Sequence, residues 1–168
     1  MPTVAVIGSV NLDIVAKAAK LPAPGETITD ADLHSFPGGK GANQALAAQR
    51  LGADVTLIAR VGDDASADTA LALLRDGGVD LTNCKAVPGK ATGTALIAVA
   101  PSGENQIVVA PGANRSLAPG DLDLPDADAL ICQLEVPVDT VAWVARHYDG
   151  YFCVNLAPAM RIDVAVLQ

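Results

Sequence analysis

The sequence predicts an α/β fold: a mainly parallel sheet flanked by helices, with a small second β-sheet beside it. Three observations carry this expectation. Short β-branched runs alternate with alanine-rich amphipathic stretches, the pattern of βα units. A glycine-rich segment, Pro37 to Gly41, opens one of those helices. Two extended runs around a turn then interrupt the alternation in mid-chain.

The elements follow in order. Val4-Ala5-Val6-Ile7 reads as a buried strand that ends at Gly8. Gly41 to Leu51 is helical, and Gly52 stops it. Val55 to Val61 is a strand closed by the turn Gly62-Asp63-Asp64. Asp64 caps a helix over residues 65–76, which puts Ala67, Ala70, Leu71 and Leu74 on one face before Gly77-Gly78 ends it. Thr94 to Ala100 and Gln106 to Ala110 flank Pro101-Ser102-Gly103-Glu104-Asn105 as a hairpin, and the polar stretch Gly25 to Phe36 is expected to pair with it. Ala129 to Leu134 resumes the parallel pattern. A helix runs from near Pro137 to His147, with Trp143 and Tyr148 as packing residues. Tyr151 to Leu156 is the next strand, and Ile162 to Gln168 is helix-competent.

Composition narrows the function. The 168 residues are 51% hydrophobic and 18% charged, which excludes a disordered chain and suits one domain. Eleven basic against nineteen acidic residues give a net charge of −8 with no basic cluster, so neither nucleic acid nor an acidic membrane surface is an expected partner. Mean hydropathy is +0.34, much of it from alanine. The run Ala95 to Ala100 stops at Pro101, far short of the ~20 residues of a spanning helix. The N-terminus passes directly into a core strand, which reads as no signal peptide. Three widely spaced cysteines predict neither a disulfide framework nor a zinc site, and a cytoplasmic setting.

The residues with chemistry to offer fall at predicted strand ends. Lys40 is followed by Gly41 rather than Ser or Thr, so the glycine segment is not a Walker A loop. Gly8-Ser9-Val10-Asn11 lacks the later glycines of a dinucleotide fingerprint. Ligands of open α/β sheets bind beyond the carboxyl ends of the strands. Asn11, Asp13, Glu135 and Asn155 therefore converge on one edge with the loop Gly38 to Asn43. Carboxylates, carboxamides and one ammonium suit a small, uncharged polyhydroxylated ligand such as a sugar. Taken singly, Asp13 also reads as a turn former and Glu135 as a cap for the helix behind Pro137.

Val6-Ile7-Gly8-Ser9-Val10-Asn11-Leu12-Asp13, Pro24-Gly25-Glu26-Thr27, Gly38-Gly39-Lys40-Gly41-Ala42-Asn43-Gln44-Ala45, Gly112-Ala113-Asn114 and Gln133-Leu134-Glu135 together resemble the ribokinase family, within the phosphofructokinase B-type carbohydrate kinases. The resemblance spans residues 1–168 and implies a ribokinase-like fold, incomplete relative to the family. It implies ATP-dependent phosphorylation of D-ribose at the 5-hydroxyl, with Mg2+ and a monovalent cation such as K+. Asn11, Asp13, Gly39, Lys40, Asn43 and Glu135 would bind the sugar. Segments about 12–36 and 93–111 would form a β-lid that also pairs two subunits as a homodimer. Leu156 departs from the family's Asn-Pro-Ala-Pro. The Gly-Ala-Gly-Asp motif that carries the family's catalytic base is absent from the 168 residues, as are its nucleotide and cation segments, so this chain alone is expected to be inactive. The alternatives are a sister kinase for a nucleoside or another sugar, or a non-catalytic sugar-binding or dimerisation fragment.

Overall fold

In the computed structural model, which describes residues 1–162, the chain runs β1 (Thr3–Ile7), β2 (Asn11–Lys17), β3 (Asp32–Gly38), α1 (Lys40–Arg50), β4 (Asp54–Gly62), α2 (Ala65–Asp76), β5 (Cys84–Val87), β6 (Gly93–Val99), β7 (Asn105–Ala110), β8 (Ala129–Gln133), α3 (Val138–His147) and β9 (Tyr151–Asn155). Ala5, Val6 and Ile7 of β1 are fully buried, so this strand needs cover on both faces. It lies at the centre of a five-stranded sheet of order β5-β4-β1-β8-β9, in which every neighbouring pair is parallel.

The two faces of that sheet have separate cores. On one, Val6, Val55, Leu57 and Val61 pack against Ala42, Ala45 and Leu46 of α1 and Ala67, Ala70, Leu71 and Leu74 of α2. On the other, Ala5, Ile7, Leu130 and Cys132 meet Val141 and Val144 of α3. The alanine face of α1 lets its backbone approach the end of β1. A Cβ on Gly41 would lie 2.5 Å from Ser9 N and 2.6 Å from the Gly8 carbonyl carbon. Only glycine admits that approach.

A second sheet of order β3-β2-β6-β7 stands beside the first. Its β6–β7 hairpin matches the sequence expectation. The stretch 25–36 does not pair with that hairpin as expected: β3 pairs with β2, and β2 lies between β3 and β6. The physical reason is chain continuity, since β1 leads directly into β2, which pairs parallel to β6 and leaves its other edge to β3. Asp13 is consequently a strand residue and not a turn former. The predicted Asp64 cap and the glycine stops of α1 and α2 are present. Asp64 Oδ1 accepts from Ala67 N at the start of α2, and Gly52 and Gly78 have positive φ. Asp64 also accepts from the Thr92 N–H and hydroxyl, which anchors the approach to β6. Trp143 and Tyr148 pack against the second core as expected, and the Tyr148 hydroxyl donates to Ala127 O. Pro119-Gly120-Asp121 is a 3-10 turn. β5, a short half-exposed edge strand, has no counterpart in the sequence reading. Of the predicted C-terminal helix, residues 163–168 lie outside the described residues.

The Gly41 contact generates a direct test. Gly41→Ala is expected to cost about 1–3 kcal/mol of stability through overpacking. Gly120→Ala, where a Cβ meets nothing within 4 Å, is expected to stay within about 0.5 kcal/mol. Paired denaturant melts read the difference.

Candidate functional site

The elements after β1 return to its β4 side, while those after β8 lead away to β9, with α1 and α2 on one face and α3 on the other. The carboxyl ends of β1 and β8 therefore flank a topological switch point, where ligands of open α/β sheets bind. Ser9 leaves β1 there and Glu135 leaves β8. The Ser9 hydroxyl donates to Glu135 Oε2 at 2.5 Å across the gap. Lys40, the first residue of α1, donates its backbone N–H to the same oxygen at 2.9 Å and its ammonium to Oε1 at 2.6 Å. Gly41 N and Ala42 N donate to Ser9 Oγ and Ser9 O at 3.3 and 2.9 Å. Glu135 thus caps α1 from a strand 95 residues away in sequence and opposes the positive end of the helix dipole. It does not cap α3, whose first turn has no side-chain cap.

Two carboxylates share this crevice with opposite surroundings. Burial pushes Glu135 up, but donation from the Lys40 N–H, the Lys40 ammonium and the Ser9 hydroxyl outweighs it, and the net shift is down. Asp13 is shifted up, first by burial and then by the negative charge of Glu135, with Lys40 offsetting part of this. A Cβ on Gly38 would lie 2.3 Å from Asp13 Oδ2, so glycine there is what lets the carboxylate sit over the β3 backbone. Gly39 follows at φ 92°, where a Cβ would lie 2.8 Å from both Asn11 N and Ser9 O. No hydrogen bond to the Asp13 carboxylate is formed among the described residues. It is a half-buried acceptor without a protein donor.

The structure brings Asn11, Asp13, Gly39, Lys40 and Glu135 together. Asn11 is buried, and its Oδ1 accepts from Asn114 Nδ2 at 2.7 Å. Asn43 is exposed on the first turn of α1, three residues beyond Lys40 and so on a neighbouring part of the helix surface. Asn155 is on the same sheet edge but one strand further out, opposite Gln133 in register and exposed, with no side-chain bond to the cluster. Ser9 and Asn114 have roles that their sequence motifs do not reveal. Ser9 is a bridge between β8 and α1, and Asn114 a partner of Val10 and Asn11. The fully buried Gln133 donates to Gln44 at 2.6 Å beneath α1.

The first N–H groups of α1 are taken by Ser9 and Glu135, so this helix start is not a phosphate cradle. Among the described residues no three His, Cys, Asp or Glu side chains gather as a metal centre. No helix of the described residues is long and apolar enough to cross a membrane.

Known proteins of similar sequence and fold exist. The chain is 39% identical over 174 aligned residues to a ribokinase of Haemophilus influenzae, covering 99% of this chain and 57% of that protein. Its fold superposes on the Thermotoga maritima ribokinase structure with a TM-score of 0.92 and 32% identity, over 100% of this chain and 57% of that one. The Arabidopsis thaliana ribokinase structure in complex with ribose and ATP aligns with a TM-score of 0.80 and 28% identity, over 99% of this chain and 57% of that one. The chain thus spans about half the length of the relatives it matches. The model of the pfkB family carbohydrate kinases matches residues 1–142, and the chain belongs to that family.

Proposed function

We propose that this chain supplies the sugar-binding side of an ATP-dependent kinase that phosphorylates D-ribose at its 5-hydroxyl. The observation that carries the reading is Asp13, a half-buried carboxylate without a protein donor at the switch point. A sugar hydroxyl supplies the missing donor. Asn11 and Asn43 offer carboxamides, Lys40 a charged donor and Gly39 its backbone. Glu135 fixes Lys40 with three of its roughly four acceptor positions filled, and keeps the remainder for a hydroxyl. The chain's own contribution is to bind and orient the sugar. ATP supplies the phosphoryl group, with Mg2+ and K+ as the expected ions. The 168 residues contain no Gly-Ala-Gly-Asp motif to provide the base, so they are expected not to turn over alone. A cytoplasmic setting is the expectation for a chain with three widely spaced cysteines.

Segments about 12–36 and 93–111, which hold most of the second sheet, are read as a lid over the sugar and as the surface that pairs two subunits. Leu33, Leu96 and Val108 share one face of that sheet and are 70%, 51% and 67% exposed. An apolar face of this kind on a thin sheet calls for a partner.

Three outcomes are expected. In NMR titration, D-ribose shifts the resonances of Asp13, Gly39, Lys40 and Asn43, and Asp13→Asn weakens binding about tenfold or more with the fold unchanged. Ribose that leaves those resonances unmoved refutes the reading. The affinity also has a defined pH dependence. Ionised Asp13 is the acceptor and its pKa is raised, so binding is full at neutral pH and declines at a higher pH than for an ordinary aspartate as acid is added. Asp13→Asn removes that decline. Finally, Val108→Glu is expected to convert a dimer to monomer in sedimentation velocity; a monomeric unsubstituted chain counts against the pairing surface.

A further inference from the structure

We infer that Asn114 is a positioning residue for the sugar site, because it sets which end of the Asn11 carboxamide faces the crevice. The inference rests on the reading of that crevice given above. Asn114 is buried on the 3-10 turn Gly112–Ser116, which carries the chain from β7 back to the main body. Its side chain bonds both backbone groups of one residue. The Val10 N–H donates to Asn114 Oδ1 at 2.9 Å, and Asn114 Nδ2 donates to Val10 O at 3.2 Å. An N–H only donates and a carbonyl only accepts, so these two bonds admit a single orientation of the Asn114 amide. Its second Nδ2 proton then meets Asn11 at 2.7 Å, and the atom it meets must be oxygen.

The orientation passes on. With Oδ1 held by Asn114, Asn11 turns its Nδ2 the other way. Among the described residues that Nδ2 has no protein partner, and it is not enclosed. Asn11 therefore presents a donor on β2, and Asp13, two residues along the same face, presents an acceptor. A donor beside an acceptor matches two neighbouring hydroxyls, one accepting from Asn11 and one donating to Asp13. An inverted Asn11 amide would put two acceptors side by side. Gly93 keeps room for the arrangement, since a Cβ there would lie 2.2 Å from both Asn11 Oδ1 and Asn114 Nδ2.

Asn114→Asp is the variant to test, because its carboxylate still accepts from Val10 N–H but can no longer donate to Asn11 or to Val10 O, and the double variant separates the two losses. D-Ribose titrations of the 168-residue chain are expected to show about tenfold weaker binding for Asn114→Asp and at least as large a loss for Asn11→Ala. The double variant is expected to bind no more weakly than Asn11→Ala alone. A merely structural Asn114 gives the same loss in both backgrounds, which overturns the inference. A second measurement needs no variant. In the unsubstituted chain without sugar, the Asn114 amide protons are expected to exchange slowly with water and those of Asn11 rapidly. The reverse order overturns the inference even if Asn114→Asp fails to fold. Absence of ribose binding by the unsubstituted chain removes the sugar-site reading and this inference with it. Ribose binding that Asn114→Asp leaves unchanged removes this inference alone.

Discussion

The closeness of α1 to the ends of β1 and β8 is the constraint on which the rest of the molecule depends. Gly8 and Gly41 have no side chains to separate the two backbones, and Cβ atoms on either would fall within 2.6 Å of the other element. At that separation the first turn of α1 cannot be hydrated, so its N–H groups need partners from the protein. Ser9 and Glu135 supply them. Capping, the salt bridge to Lys40 and the placement of the site are consequences of one close approach. They are not independent features that happen to coincide.

That constraint also explains why Glu135 and Asp13 differ. Glu135 is held ionised by donors the fold must satisfy in any case, so its charge belongs to the architecture. Asp13 is on the other sheet, loses hydration to the same crevice and receives no donor in return. Proximity to Glu135 raises its pKa further. An unpaired carboxylate in such surroundings reduces stability, and a ligand hydroxyl that donates to it recovers part of the loss. Such an exchange of stability for binding is what the proposed sugar site requires.

Much of this was legible in sequence, and the boundary is physical. The βα alternation, the Asp64 cap, the 101–105 turn and the glycine segment are local signals, governed by residues within one turn or one strand of each other. The strand-end rule then brought Asn11, Asp13, Lys40 and Glu135 to one edge without any knowledge of contacts. What escaped depends on distant partners. Nothing near Asn114 reveals that it bonds Val10, 104 residues away. Glu135 stands two residues before Pro137, so a cap for α3 was the natural local reading, and only the close approach of α1 redirects it. The pairing of 32–38 with β2 rather than the hairpin is likewise a question of which edge is free. β5 escaped because an edge strand of four residues has too little buried surface to impose alternation.

The site residues are divided between two bodies. Lys40, Asn43 and Glu135 belong to the main sheet and its helix, whereas Asn11 and Asp13 open β2 of the second sheet. The chain crosses between these bodies at Gly8–Val10, Gly38–Gly39, Thr92–Gly93 and Pro111–Gly112. Side-chain and backbone bonds gather at those crossings: Asp64 to Thr92, Thr92 to Gly62, Asn114 to Val10, and Ala113 to Ala91. Glycines are concentrated there because four chain segments pass within van der Waals distance of one another. A ligand that engages both Asp13 and Lys40 adds a further link between the sheets at the same place. The bonds from Asn114 to Val10 and Asn11 join the turn after β7 to the β1–β2 crossing at the same place.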